Sequence, residues 1–354
     1  MPRAHRKDEH IYYIMQNAPH QADFSDISLV HNCLPDQDFG RVSLEAAYLG
    51  RTFRSPLFIN AVTGGTRLAL KINAALADVA RQCGLPMAVG SQMAAIEDIS
   101  AEASFKVVRR VNPGGVIWAN IGSYAAPEIA LKAIKMIKAD GLQVHLNAPQ
   151  ELLMTDGDRN FEGMIGRIGK IAANADVPVI AKEVGFGIAR EQAGILAGLK
   201  VAAIDVGGRG GTNFLAIESS RSGRKLPADL SAWGIPTAIS LVEAAAGAGE
   251  KTDLFASGGM HTALDIAKAL ALGAGAVGMA GYPVYHLLKY GSKALVKKID
   301  RIENELRIIL MLAGAKKPAE MQKVPLVITG HTAEWMQRRG LGPDTFARRP
   351  GLVN

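Results

Sequence analysis

Chemistry in this 354-residue chain is concentrated where short apolar runs give way to polar or glycine residues. After the first such run comes Thr63-Gly64-Gly65-Thr66, after the second Gly90-Ser91-Gln92, and the third ends on Asn120. The fourth leads into His145-Leu-Asn147-Ala-Pro-Gln150-Glu151, and the fifth ends in Lys182-Glu183. The sixth carries Asp205-Val-Gly-Gly-Arg-Gly-Gly-Thr212, the seventh Ser257-Gly258-Gly259 and the eighth Gly278-Met-Ala280-Gly281.

Glycines at the ends of the seventh and eighth runs let backbone N–H groups approach a phosphate, with Thr212 adding a hydroxyl; they also serve as simple tight turns. Lys182 ends an apolar run, where an unpaired ammonium is costly, so it faces either an anion or electron-rich cofactor, or another carboxylate. Glu183 is not that carboxylate, because neighbours on a strand point to opposite faces. Asn120 and Ser91 offer hydrogen bonds to a planar heterocycle. His145 and Asn147 share a face by the period of two, and Gln150 and Glu151 follow in the loop. One carboxylate beside a phosphate is a Mg2+ candidate. Glu151 is equally suited to opening a helix, Thr155-Asp-Gly-Asp158 to a turn, and His145 to the core.

These residues need a scaffold. The candidate strands are Pro56–Asn60, Met87–Gly90, Val116–Asn120, Leu142–Leu146, Val179–Lys182, Ala203–Asp205, Leu254–Ser257 and Ala276–Met279. Helical spacing of apolar residues appears between them at Leu70–Gln82, Glu128–Lys138, Ile188–Leu199 and Leu264–Leu272. The strands are nearly all apolar, as parallel strands covered by helices are. The pattern predicts an α/β fold, a (β/α)8 TIM barrel whose active site lies at the carboxyl ends of the strands. A doubly wound sheet is the alternative, but Asn60-Ala-Val-Thr-Gly-Gly65 is not a GxGxxG fingerprint. The expected organisation is one domain: a polar, irregular N-terminal extension over 1–55 with a β-like piece at Val42–Leu44, barrel strands within 56–282, and a C-terminal tail over 283–354. That tail opens with an amphipathic helix at Ser292–Leu312.

Composition excludes several classes. With 48% hydrophobic and 21% charged residues the chain is neither disordered nor collagen-like. The net charge of +7 comes from interspersed residues, which suits an anionic small ligand and not a nucleic-acid face. The basic patch Met1-Pro-Arg-Ala-His-Arg-Lys7 is followed at once by Asp8 and Glu9, without the apolar stretch of a signal peptide. A cytoplasmic protein is expected. Cys33 and Cys83 form no CxxC pair, and no apolar run approaches the roughly 20 residues of a membrane helix.

The sequence resembles the type II isopentenyl-diphosphate isomerases, FMN-dependent enzymes, and among them the Gram-positive branch. The stretches that carry the resemblance include Arg6-Lys-Asp-Glu-His10, Phe58-Ile-Asn-Ala-Val-Thr-Gly-Gly65, Ala88-Val-Gly-Ser-Gln92, Gln143-Val-His-Leu-Asn147 with Pro149-Gln-Glu151, and Gly157-Asp-Arg159. They continue with Lys182-Glu-Val-Gly-Phe-Gly187, Asp205-Val-Gly-Gly208, Gly210-Gly-Thr-Asn-Phe214 and Ala256-Ser-Gly-Gly259. The resemblance implies a 1,3-allylic shift between isopentenyl diphosphate and dimethylallyl diphosphate that needs reduced FMN and Mg2+, with NADPH the expected reductant. It implies flavin contacts at Ala61, Val62, Thr63, Ser91, Asn120, Lys182, Thr212, Ser257, Gly258, Gly259, Ala280 and Gly281. It places substrate at Arg6, Lys7, His145, Asn147 and Gln150, and the metal at Glu151. In this reading the flavin is the acid-base centre, Lys182 stabilises its negative charge, and Gln150 orients substrate. Arg6 and Lys7 then belong to an N-terminal lid. A homotetramer or homo-octamer is also implied. Many family members carry Arg after Gly-Ser-Gln; Met93 stands there, and a thioether cannot pair with diphosphate.

Other readings are weaker on specific residues. An FMN-dependent 2-hydroxy-acid oxidase would carry a catalytic His after the sixth strand, where Val206-Gly-Gly-Arg209 stands. An inosine-monophosphate-dehydrogenase-like enzyme needs a nucleophilic Cys there. A phosphate-ligand sensor has no use for Gln150, Glu151 and Lys182 in one cavity.

Overall fold

A computed structural model describes residues 3–17, 20–155, 157–223 and 226–352, with the side chains of 3–7, 222 and 228 outside that description. Eight parallel strands close into a barrel: β1 (Leu57–Ile59), β2 (Met87–Ala88), β3 (Ile117–Gly122), β4 (Gly141–Leu146), β5 (Val179–Glu183), β6 (Ala203–Asp205), β7 (Asp253–Ser257) and β8 (Ala276–Met279). Each pairs with its neighbour in sequence, and β8 returns to β1 through Gly278↔Phe58. All eight expected strands are present, with ends shifted by at most two residues.

Helices enclose the barrel because each connection carries an apolar stripe and good end signals. In Arg67–Cys83 the Thr66 hydroxyl accepts from Ala69 N at 2.9 Å, and Gly84 takes the left-handed conformation (φ 64°) that ends the helix. The buried face of that helix (Ile72, Leu76, Val79, Ala80) joins the main core between helices and strands.

Inside the barrel, side chains stack in layers set by the period of two. Phe58, Trp118 and Phe255 form an apolar floor, with ring centroids 4.9 Å (Phe58–Trp118) and 5.9 Å (Trp118–Phe255) apart. Gly141 makes room for Trp118, since a Cβ there would sit 2.9 Å from its ring. Two residues further along the same strands come Asn60, Asn120 and Ser257, joined by Gln143, Lys182 and Asp205. A polar layer therefore lies on an aromatic one, nearer the carboxyl ends.

Two expectations for the N-terminal extension are corrected. It is not irregular throughout: Arg3–Gln16 is helical, because Ile11 and Ile14 recur at helical spacing and bury against the barrel mouth. The β-like piece is not at Val42–Leu44 but at Ala46–Tyr48, which pairs with Arg51–Phe53. This hairpin plugs the amino end of the barrel, with Tyr48 stacked on Phe53 at 4.1 Å and edge-on to Phe255 at 5.4 Å. The register is chosen by that contact with the aromatic floor. At the other terminus Ser292–Leu312 is the expected long helix, and Leu326–Ile328 pairs antiparallel with Ile27–Leu29.

Candidate active site

The polar layer opens at the carboxyl ends of the strands onto a cavity of about 350 Å3. It adjoins a glycine-lined recess of about 90 Å3, and Ala61, Val62, Lys182 and Val184 border both. The N-terminal helix covers part of this opening, since His10 borders both spaces and Ile14 the recess. Its Asp8 accepts from the Thr66 hydroxyl at 2.6 Å, which ties the helix to the loop after β1.

The recess has the chemistry of a phosphate site. Gly258 (φ +106°) and Gly259 (φ +85°) adopt backbone conformations that side chains rarely take, and a Cβ on either would overlap a carbonyl of the loop after β6. Close packing of two glycine loops exposes main chain to the recess, beside the hydroxyls of Ser257 and Thr212 and the first residues of the helix Gly281–Tyr290. Ser91, Asn120 and Lys182 line the larger cavity, while Thr212, Ser257, Gly258, Gly259, Ala280 and Gly281 line the recess. The chain's own groups therefore fit FMN: a cradle for its phosphate, and amide, hydroxyl and ammonium groups beyond it.

The remaining expected flavin contact is Thr63. It lines neither space; its carbonyl accepts from Gly90 N at 2.9 Å and its buried hydroxyl has no partner among the described residues.

At the far end of the larger cavity stand His145, Asn147, Gln150 and Glu151. Pro149 lies in the first turn of the short helix Ala148–Leu153 that carries Gln150 and Glu151. Both carboxylate oxygens of Glu151 are engaged: Oε1 accepts from Asn147 Nδ2 at 2.8 Å and Oε2 from Asp158 N at 2.9 Å. Arg159 also bonds the Glu151 carbonyl, so Asp158 and Arg159 both fold back against the helix. Among the described residues no group of three or more His, Cys, Asp or Glu forms a metal cage. A Mg2+ at Glu151 would complete its shell with ligand oxygens and water, the usual habit of this ion. Met93 borders the same cavity, where it adds no charge. Arg6 and Lys7 lie in the helix Arg3–Gln16, but their side chains fall outside the described residues.

Four residues that sequence reasoning did not single out hold these groups in place. Asp205, fully buried, lies 3.4 Å from Lys182 Nζ and accepts from Ser257 Oγ at 2.5 Å and Asn60 Nδ2 at 2.7 Å. Lys182 therefore has a carboxylate partner in Asp205 and also lines the cavity. Gln143 bridges Asn60 and Asn120. Glu218, on the helix Phe214–Ser222, accepts from Gln150 Nε2 at 3.1 Å and pairs with Arg221 at 2.8 Å and His10 at 3.4 Å. Burial acts to raise the Glu218 pKa, but His10, Gln150 and Arg221 outweigh it and hold the carboxyl below its ordinary value. The period of two on β1, β4 and β6 marks Asn60, Gln143 and Asp205 as inward-facing; Glu218 has no such signal.

His261 borders the recess, stacked on Tyr282 at 4.6 Å. Burial, with smaller contributions from His20 and Lys298, lowers its pKa to about 4 and favours the neutral ring. Arg209 and His331 border a different cavity of about 380 Å3, behind the Gly211–Thr212 wall of the recess.

Known proteins give a consistent placement. The model of the family described as FMN-dependent dehydrogenase matches residues 15–147 and 154–327. The isopentenyl-diphosphate delta-isomerase of Geobacillus sp. (strain WCH70) is 46% identical over 99% of this chain and 100% of its own length. That of Moorella thermoacetica is 47% identical over 95% and 97%. A solved structure of mandelate oxidase with 3,3-difluoro-2-hydroxy-3-phenylpropionic acid superposes with a TM-score of 0.65 at 18% identity, covering 93% of this chain and 98% of that one, a likeness of fold alone. The chain belongs to the FMN-dependent dehydrogenase family and, within it, to the isopentenyl-diphosphate delta-isomerases.

Proposed function

We propose that this protein interconverts isopentenyl diphosphate and dimethylallyl diphosphate, with FMN in the recess and Mg2+ at Glu151. The observation that carries this reading is the near full-length identity of 46–47% to the isomerases of Geobacillus and Moorella. The cavity supports it, because a phosphate cradle and Lys182 at one end meet His145, Asn147, Gln150 and Glu151 at the other.

The reaction moves a proton on and off carbon with no net redox change, and an unactivated alkene is a weak base. Reduced FMN, when bound, supplies the proton donor and acceptor that ordinary side chains do not. Lys182, held by Asp205, places its ammonium where negative charge on an electron-rich ring is stabilised. Gln150, fixed by Glu218, contacts and orients the substrate and relays a proton. His145 and Asn147, with Arg6 and Lys7, bind the diphosphate, and Glu151 carries the Mg2+ that neutralises it so that it anchors the molecule. The N-terminal helix excludes water from the opening. NADPH as reductant, a cytoplasmic setting and a homotetrameric or homo-octameric assembly belong to the same reading.

A hydroxy-acid oxidase is the second reading, on the strength of the shared fold. The loop after β6 speaks against it: Val206-Gly-Gly-Arg209, without His, stands where such an enzyme would carry its base. The deciding assay is anaerobic, with isopentenyl diphosphate, Mg2+ and FMN, with and without dithionite. Dimethylallyl diphosphate formed only with reduced flavin supports the proposal; bound flavin without product overturns it.

A further inference from the structure

The polar layer inside the barrel is a continuous chain of hydrogen bonds with a fixed direction. Asn60 Nδ2 donates to Asp205 Oδ2 at 2.7 Å, Gln143 Nε2 to Asn60 Oδ1 at 2.9 Å, and Asn120 Nδ2 to Gln143 Oε1 at 3.0 Å. The chain ends where Asn120 Oδ1 meets His145 Nδ1 at 2.9 Å. Asn60, Asn120, Gln143 and Asp205 are all at most 3% exposed, so bulk water competes little for these atoms.

Primary amides can be turned end for end, which would reverse the chain, so its direction needs an anchor. Two independent groups supply it. An ionised carboxylate only accepts, and Asp205 already receives Ser257 Oγ on its other oxygen. The Ala61 backbone N–H only donates, and it points at Asn60 Oδ1 from 2.8 Å. Turning Asn60 would set oxygen against carboxylate and put its NH2 against two other N–H donors. With Asn60 fixed, Gln143 must present Nε2 to it and Oε1 to Asn120. Asn120 must then present its oxygen to His145.

We propose that Asp205 acts through Asn60, Gln143 and Asn120 to select the His145 tautomer with hydrogen on Nδ1, placing the ring's basic lone pair on Nε2. An acceptor at Nδ1–H also makes Nε2 more basic, as it does for histidines that bind metals. Under the function proposed above, a proton gained at Nε2 turns His145 into a donor towards a bound diphosphate. The same carboxylate holds Lys182, so one buried charge sets groups at both ends of the cavity. Asn60, Gln143 and Asp205 are positioning residues.

The test is histidine tautomer NMR on the uniformly 15N-labelled, FMN-loaded protein at mildly alkaline pH, with the His145 signals assigned from a His145→Gln variant. The expected result is a neutral ring with hydrogen on Nδ1. A wild-type ring with hydrogen on Nε2 overturns the proposal. In Gln143→Leu, which cuts the chain in the middle, the Nδ1–H to Nε2–H ratio should fall by about tenfold, the effect of one hydrogen bond. An unchanged ratio in a Gln143→Leu protein that is folded and retains FMN also overturns it. If that variant does not fold, the wild-type spectrum decides alone. Absence of isomerase activity would sink the proposed function and leave the tautomer result standing.

Discussion

The side-chain amide of Gln150 donates to Glu218 at 3.1 Å, joining the short helix after β4 to the helix that follows the glycine loop after β6. Glu218 is held in turn by Arg221 on its own helix and by His10, so Gln150 is fixed by two other segments of the chain. Replacing Glu218 with Ala frees the Gln150 amide without touching the recess. We expect kcat to fall about tenfold or more, the equivalent of ~1.5 kcal/mol for a hydrogen bond to a charged group. Steady-state kinetics with flavin content measured by absorbance checks this, and an unchanged kcat would show that Gln150 does not need its partner.

The recess should be sensitive to added volume. Gly281 has an ordinary backbone, but a Cβ there would lie 2.9 Å from Thr212 Oγ1, so Gly281→Ala narrows the cradle with little strain. FMN affinity should drop about tenfold while stability changes by less than ~1 kcal/mol. Gly258→Ala adds both backbone strain and overlap with the Gly208 carbonyl, and should lose flavin and at least ~1 kcal/mol of stability. Flavin fluorescence titration and thermal melting separate the two effects.

Metal dependence follows from the single carboxylate at the substrate end. Because no preformed cage exists among the described residues, chelation should abolish turnover without lowering Tm. Glu151→Gln removes the charge and sets an NH2 against either Asn147 Nδ2 or Asp158 N, both donors. It should raise the Mg2+ concentration needed for half-maximal rate more than tenfold, with FMN binding unaltered. A magnesium titration that superposes on wild type would remove Glu151 from the metal site.

Acid stability should depend on Glu243, in the helix Thr237–Ala248. Its oxygens accept from Trp335 Nε1 and Arg339 Nε, each at 2.8 Å, and from Arg190 N at 3.0 Å, which clamps the C-terminal helix Gly330–Arg338 to the barrel. Burial alone would raise its pKa, but Arg339, Trp335 and the Arg190 amide outweigh that and bring it down to about 2. A carboxyl lowered on folding contributes stability that is complete above its ordinary pKa and fades as pH falls from about 4.5 towards 2. Glu243→Gln should cost roughly 2 kcal/mol near neutrality and flatten that decline. Urea unfolding at about pH 7 and about pH 3 measures both; parallel pH curves for the two proteins would refute the assignment.

The sequence alone determined the barrel, since runs of apolar residues at βα spacing reflect burial on both strand faces, a local and repeated constraint. It also pointed to residues that line the cavity and the recess, because barrel chemistry gathers where strands end, and Lys182, Gln150 and the glycines of Gly258–Gly259 are visible there as exceptions to apolar patterning. Tertiary structure alone decided what those residues do to one another. Lys182 and Asp205 are adjacent only because β5 and β6 pair in register, and Gln150 meets Glu218 only because two loops converge over the barrel mouth. The same holds for the N-terminal helix, whose few apolar residues find a surface only once the barrel exists. Long-range contacts of this kind depend on strand register and loop closure, which no window of sequence contains.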